Sequence, residues 1–294
     1  MHILGISTLG RGSAVALLNE NSVQFAIEEE KLNRLEDTLE MPRLALARCL
    51  QENQLQLSDC RAIAVAERLP RTSKSSTGRK RRSPTATQEQ LRALLRGGPR
   101  PSQFDHHLCH AASAYYTSGF NRALILSLDH GVSSQSGLIA LGDDDEIHPR
   151  HSLEFPDSLG WFYSRVTELA GLRPSRDEHK LQWLSKDGDP EYLPAFRKLF
   201  SWRSNGTPAL NRRYFVAGPD RGGIFSPQFY RELGFSRRNL AVSPALRANL
   251  ARSAQDFLEA TVLQLAAIFQ QSTGARSLCL AGGVFLNVLL VRAL

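Results

Sequence analysis

The chain has 294 residues, of which 42% are hydrophobic and 22% charged, with four cysteines and a net charge of +7. That length provides core for one large domain or two lobes, and the composition excludes a disulfide-built miniprotein, collagen and a wholly disordered chain. The charge is local: residues 68–100 hold ten Lys and Arg and one acid, Glu89, so the rest of the chain sums to −2.

The first thirty residues read as three strands, 2–8, 13–19 and 22–30, close enough to form an antiparallel meander. The chain opens directly on the first of them, so no leader is expected. Pro42 opens a helix over 43–53, and 62–67 is a short buried strand. Residues 70–88 combine Pro, Ser and Gly with the basic run and read as a loop. A helix follows near 86–96, then one over 106–117 and strands over 123–129 and 136–143. Residues 158–171 form an amphipathic helix with Ser158 as N-cap and Gly171 as stop. The stretch 205–240 is expected to be irregular, and 243–273 is a long helix. A buried strand over 277–283 ends in two glycines and leads into a helix that runs to Leu294 without a stop signal. The C-terminus therefore reads as unfinished: a truncation, a split gene or a fragment. No internal repeat is visible.

No apolar run reaches the roughly 18–20 residues needed to span a bilayer. Cys49, Cys60, Cys109 and Cys279 form no CxxC pair, which suits a reducing cytoplasm. The basic run at 71–83 could bind phosphate backbones. Residues 68–100 lack Phe, Trp and Tyr, so a stacking platform is missing and a nucleic-acid partner is not expected.

Three clusters carry candidate chemistry. His106 and His110 are one helical turn apart, with His107 and Asp105 beside them, and both imidazoles project from one face. Such a pair can hold a divalent metal; the same spacing also arises in histidines that cap or pack a helix. There is no Glu after the first His, so a metalloprotease is excluded. A third ligand must come from elsewhere, and Asp129, at the end of an apolar strand, is the candidate. His and Asp ligands suit iron or zinc better than magnesium. In the second cluster, LAGGVFLN at 280–287, a strand, two glycines and a helix start can bring backbone N–H groups to a phosphate, or can simply make a tight turn. The third is RDEHKL at 176–181, where Asp177, Glu178 and Lys180 form either a functional carboxylate–amine set or a solvated loop. Glu30 and Arg34, in EEEKLNR at 28–34, read as the exposed end of a strand.

The segments AIEEEKLNR, DHHLCHAASAYYTSGF, LILSLDHG, SLGWFYSRVTELAG, DEHKL and LCLAGGVFLN, in this order, resemble the O-carbamoyltransferases of nodulation-factor and antibiotic biosynthesis. The resemblance covers nearly all of 3–290. It implies an α/β fold of the actin-like, sugar-kinase-like (ribonuclease H-like) kind in two lobes, about 1–150 and 151–294, the second lobe incomplete. It also implies a missing C-terminal domain that makes carbamoyl adenylate from carbamoyl phosphate and ATP. The carbamoyl group would pass from this adenylate to a hydroxyl of a sugar-like or antibiotic acceptor. Carried onto this chain, the metal ligands are His106, His110 and Asp129. Gly282, Gly283 and Asn287 lie on the nucleotide side. Asp177, Glu178 and Lys180 match a DEGK run that shapes the active site, with His179 in place of Gly. The implied partners are the acceptor and a separately encoded C-terminal half.

Departures from the pattern keep an alternative open. Gly10 and Gly12 replace a His and an Asp, Glu36 and Asp37 replace a basic pair, and a further aspartate ligand would fall beyond Leu294. A degenerate or truncated homologue, binding a partner without catalysis, fits these departures.

Overall fold

The computed structural model describes residues 1–8, 12–20, 22–36, 38–66, 84–132, 134–216, 224–234 and 243–294. Most of the basic loop expected at 70–88 lies outside them, as do Gly10 and Asp37. The chain divides into two compact units, Met1–Cys109 and His110–Leu294.

In the first unit, β1 (His2–Ser7), β2 (Ala14–Asn19) and β3 (Ser22–Glu28) form the expected antiparallel meander. Helix α1 (Glu29–Asn33) takes the residues expected to end the third strand. Helix α2 (Arg43–Glu52) then carries the chain to β4 (Cys60–Ala66), which pairs in parallel with β1. Helix α3 (Pro84–Leu94) leads to β5 (Ser102–Phe104) beside β4, giving the order β3-β2-β1-β4-β5. Alternate residues face one side, so Leu4, Ile6, Val15, Leu17, Ile63 and Val65 pack against Ala45, Leu46 and Cys49 of α2. Glu29 is buried rather than exposed: its carboxylate accepts the N–H groups of Leu44 (3.0 Å) and Ala45 (2.8 Å). It caps α2, whose own N-cap, Pro42, offers no side-chain acceptor.

Helix α4 (His106–Tyr116) is one continuous element, and the division between the units falls inside it. The second unit continues with β6 (Arg122–Val132), β7 (Gln135–Asp143), β8 (Glu146–Glu154) and α5 (Leu159–Leu169). Next come α6 (Glu178–Leu184), α7 (Leu193–Arg197), β9 (Phe200–Trp202) and β10 (Pro208–Leu210). Strands β11 (Phe215–Val216) and β12 (Ile224–Phe225) and helix α8 (Pro227–Glu232) give parts of 205–240 more order than expected. The unit closes with α9 (Pro244–Thr273), β13 (Ser277–Ala281) and α10 (Val288–Ala293).

Strands β6, β7 and β8 are an antiparallel meander, and β13 pairs in parallel with β6, giving the order β13-β6-β7-β8. Residues 122–150 were expected with the first lobe. They share this sheet with a strand from 277–281, so they belong to the second compact unit. Ser158 caps α5 as expected, accepting the Trp161 N–H at 3.0 Å.

The larger core lies between this sheet and helices α5 and α9. Phe162 is fully buried there, its ring 4.9 Å from Phe257 and 5.7 Å from Phe196. Phe162→Ala is expected to cost about 3–5 kcal/mol, read as a fall in the urea unfolding midpoint with little change in the slope.

Among the described residues, no helix is long and apolar enough to cross a membrane. All four cysteines are free thiols. Burial pushes each upward, Cys49 to about 11. They are protonated at neutral pH and poor nucleophiles.

Candidate metal centre

Helix α4 starts where Asp105 caps it: one carboxylate oxygen accepts the N–H groups of His107 (3.0 Å) and Leu108 (3.2 Å). The aspartate beside the histidines therefore anchors the helix start. His107 is buried, whereas His106 and His110 are half-buried. One ligand atom each from His106, His110 and Asp129 lies within 4.8 Å of the others. His110 Nε2 is 3.2 Å from Asp129 Oδ2. All three expected ligands are thus brought together.

Asp129 sits in the second half of β6, and three features hold it. Its Oδ1 accepts the Gly283 N–H at 2.7 Å. The Ser158 hydroxyl lies 3.0 and 2.8 Å from the carbonyl oxygens of Asp129 and His130. Gly160 lets α5 approach this backbone, since a Cβ there would sit 2.7 Å from the Asp129 oxygen. Ser158 was legible as a helix cap; its second role depends on the position of β6.

The glycine pair makes the tight turn that was one of its two readings. Strand β13 ends at Ala281, and residues 283–286 form a single 3-10 turn before α10 starts at Val288. The Gly283 N–H is directed at Asp129 rather than left open for a phosphate. Asn287 is buried and caps α10, accepting the Leu290 N–H at 3.0 Å. Its amide pairs reciprocally with Gln255 of α9, at 2.8 and 3.0 Å. The Tyr163 hydroxyl also donates to Gln255, at 2.9 Å. Burial pushes the Tyr163 phenol upward, so it remains a donor. Nothing in the local sequence marks Gln255, which lies within a long helix.

The DEHK run is tied into its own loop. Asp177 accepts from the Arg173 N–H and Nε, both at 3.0 Å, and pairs with Lys180 Nζ at 2.9 Å. Glu178 accepts from the Ser164 hydroxyl and the Ser175 N–H. Further along α6, the Gln182 Oε1 accepts the Val288 N–H at 2.9 Å, which links this run to the AGGVFLN segment. The Arg173 guanidinium and the Lys180 ammonium hold the Asp177 carboxyl well below the usual carboxylate range. A lowered folded-state pKa stabilises above the unfolded value of about 3.9, and that contribution is lost as pH falls through the lower folded value. Asp177→Asn is therefore expected to lower Tm at neutral pH and to flatten its fall on acidification. Melting curves from pH 7 to pH 3 that match wild type would show that the ion pairs contribute nothing.

The family described as carbamoyltransferase N-terminus matches residues 85–294. An uncharacterized protein of Synechocystis, sll1178, is 30% identical over 97% of this chain and 51% of its own length. The nodulation protein NolNO of Sinorhizobium fredii is 31% identical over 96% of this chain and 42% of its own. The chain thus spans about half the length of these relatives. Among solved structures, component A of the (R)-2-hydroxyglutaryl-CoA dehydratase of Acidaminococcus fermentans covers all of this chain and 87% of its own. Its TM-score is 0.50 at 11% identity, a likeness of fold alone. The fold is mixed α/β, of the actin-like, sugar-kinase-like kind expected. With its histidine helix and AGGVFLN segment inside the matched region, the chain belongs to the carbamoyltransferase N-terminus family.

Proposed function

We propose that this chain is the N-terminal part of a metal-assisted O-carbamoyltransferase. It takes carbamoyl adenylate, made from carbamoyl phosphate and ATP by a further domain or a separately encoded C-terminal half. It passes the carbamoyl group to a hydroxyl of a sugar-like or antibiotic-type acceptor. The observation that carries this reading is the convergence of His106, His110 and Asp129 within 4.8 Å.

Two imidazoles and one carboxylate suit iron(II) or zinc. All three ligand residues are partly exposed, which leaves room for substrate oxygens. A cation bound there supplies Lewis acidity, neutralising phosphate charge and polarising the carbamoyl carbonyl. The protein contributes fixed geometry. Asp129 presents Oδ2 toward His110 while Gly283 engages Oδ1, so the carboxylate cannot rotate freely. Gly282, Gly283 and Asn287 act on the nucleotide side by setting the path of the turn, Asn287 through its buried pair with Gln255. Asp177, Glu178 and Lys180 act as positioning residues: they order the loop before α6 and so place Gln182 against Val288.

His106→Ala or His110→Ala is expected to lower bound iron or zinc in the purified protein. Unchanged stoichiometry by elemental analysis would overturn the metal centre. With the C-terminal half supplied, carbamoyl phosphate, ATP and a hydroxyl acceptor should yield a carbamate detectable by mass spectrometry, and His110→Ala should lower that yield. A chain that keeps its fold but neither binds metal nor supports this product would be the non-catalytic homologue.

A further inference from the structure

A second site lies elsewhere in the His110–Leu294 unit. Two adjoining hollows, of about 250 and 440 Å³, share His151, Phe269 and Ser272 as walls. The larger alone falls in the range of about 300–1,000 Å³ usual for small-molecule sites. The smaller hollow opens beside Arg122, the first residue of β6. Asp129 is seven residues further along the same strand, so at about 3.3 Å per residue the two lie roughly 20 Å apart. The groove is distinct from the candidate metal centre.

Its lining has three chemical parts. One is aromatic: Trp202 is 37% exposed, and the His151 ring lies 5.1 Å from that of Phe269. Another is neutral and polar. Asn205 Oδ1 is taken by Thr207, at 3.1 Å to its N–H and 2.7 Å to its hydroxyl, and among the described residues the Asn205 amide N–H groups donate to none, which leaves them for a ligand. Gln264 is exposed on the same wall. The third part is cationic. Arg122 pairs with Asp143 and Arg203 with Asp157, so their charges are compensated. Arg150 is exposed at the mouth and forms no ion pair with a carboxylate of the described residues.

We propose that this groove binds a ring-shaped, hydroxyl-rich oxyanion, a sugar phosphate or a sugar acid. A sugar ring has an apolar face for Trp202 and hydroxyls for Asn205 and Gln264. The oxyanion meets Arg150, whose planar guanidinium can grip phosphate or carboxylate with two parallel hydrogen bonds. A neutral sugar would leave that charge unanswered, and a bare inorganic anion would leave the aromatic wall unused. The site does not depend on the proposed metal or on carbamoyl transfer.

Isothermal titration with glucose 6-phosphate, glucuronate, glucose and inorganic phosphate tests this. Saturable binding is expected for one or both anionic sugars, at least tenfold tighter than for glucose or phosphate. Arg150→Ala and Trp202→Ala should each weaken it at least tenfold without changing Tm or bound metal. No saturable binding of either anionic sugar would overturn the proposal. So would equal binding of inorganic phosphate, or binding unaffected by both substitutions.

Discussion

Asp129→Ala is expected to remove metal binding and to loosen the protein, whereas Asp129→Asn should remove only the metal. The carboxylate has two separable tasks. Oδ2 faces His110 at 3.2 Å, and Oδ1 accepts the Gly283 N–H at 2.7 Å. Alanine leaves that N–H without its acceptor, at a cost of about 1–3 kcal/mol. Asparagine keeps an oxygen that can accept from Gly283 but has no negative charge to hold a cation. Loss of a partner that merely orients a ligand weakens metal binding by about 10–100-fold, so loss of the one anionic ligand that the described residues bring to the cluster should exceed that. The check is iron and zinc content after dialysis, with thermal unfolding of the metal-free proteins. Metal retained in Asp129→Asn would exclude Asp129 as a ligand. Equal Tm values for the two variants would exclude the brace through Gly283.

Gly282→Ala should be strongly damaging for a change of a single methyl group. Gly282 has φ +91° and ψ 163°, a backbone region open essentially to glycine alone. A Cβ there would lie 2.4 Å from the carbonyl oxygen of Leu128, the residue before Asp129. Strand β6 is packed on both faces and cannot retreat, so the end of β13 must move and take Gly283 away from Asp129. Backbone strain of about 1–3 kcal/mol adds to overpacking of about 1–3 kcal/mol. At about 2–4 °C per kcal/mol for a unit of this size, Tm should fall by roughly 10 °C. Metal content should fall with it. A Tm within a degree of wild type would show that the two strands do not approach so closely.

The candidate site was legible where its logic is local. His106 and His110 share a helix face because of their four-residue spacing, and Asp129 could be picked out because it follows the apolar run of β6. Ser158 showed as a helix cap for the same reason. What could not be read was any role set by another segment. Asn287 stood out within the AGGVFLN motif, but its pairing with Gln255, 32 residues earlier in the chain, could not be read. Glu29 looked exposed, but α2 returns to take both its oxygens. The DEHK run offered a carboxylate pair and a lysine. Only the fold shows that Arg173 and Ser164 already occupy those carboxylates.

The sequence by itself determined the long elements, because apolar periodicity, caps and turn residues act over a few residues, but it left β8 and the short elements between Pro208 and Glu232 unread. It also carried the family motifs, whose order survives whatever the packing. The tertiary structure decided which strands share a sheet. In the first unit a three-strand meander receives a parallel strand beside its first member, in the order β3-β2-β1-β4. The second unit repeats this arrangement as β8-β7-β6-β13. No repeat is visible in the residues, since alternating burial can be met by many sequences. Pairing depends instead on contacts between segments far apart, such as Leu124 beside Leu278. The same long-range pairing of β6 with β13 brings Gly283 to Asp129 and makes two separated motifs one site.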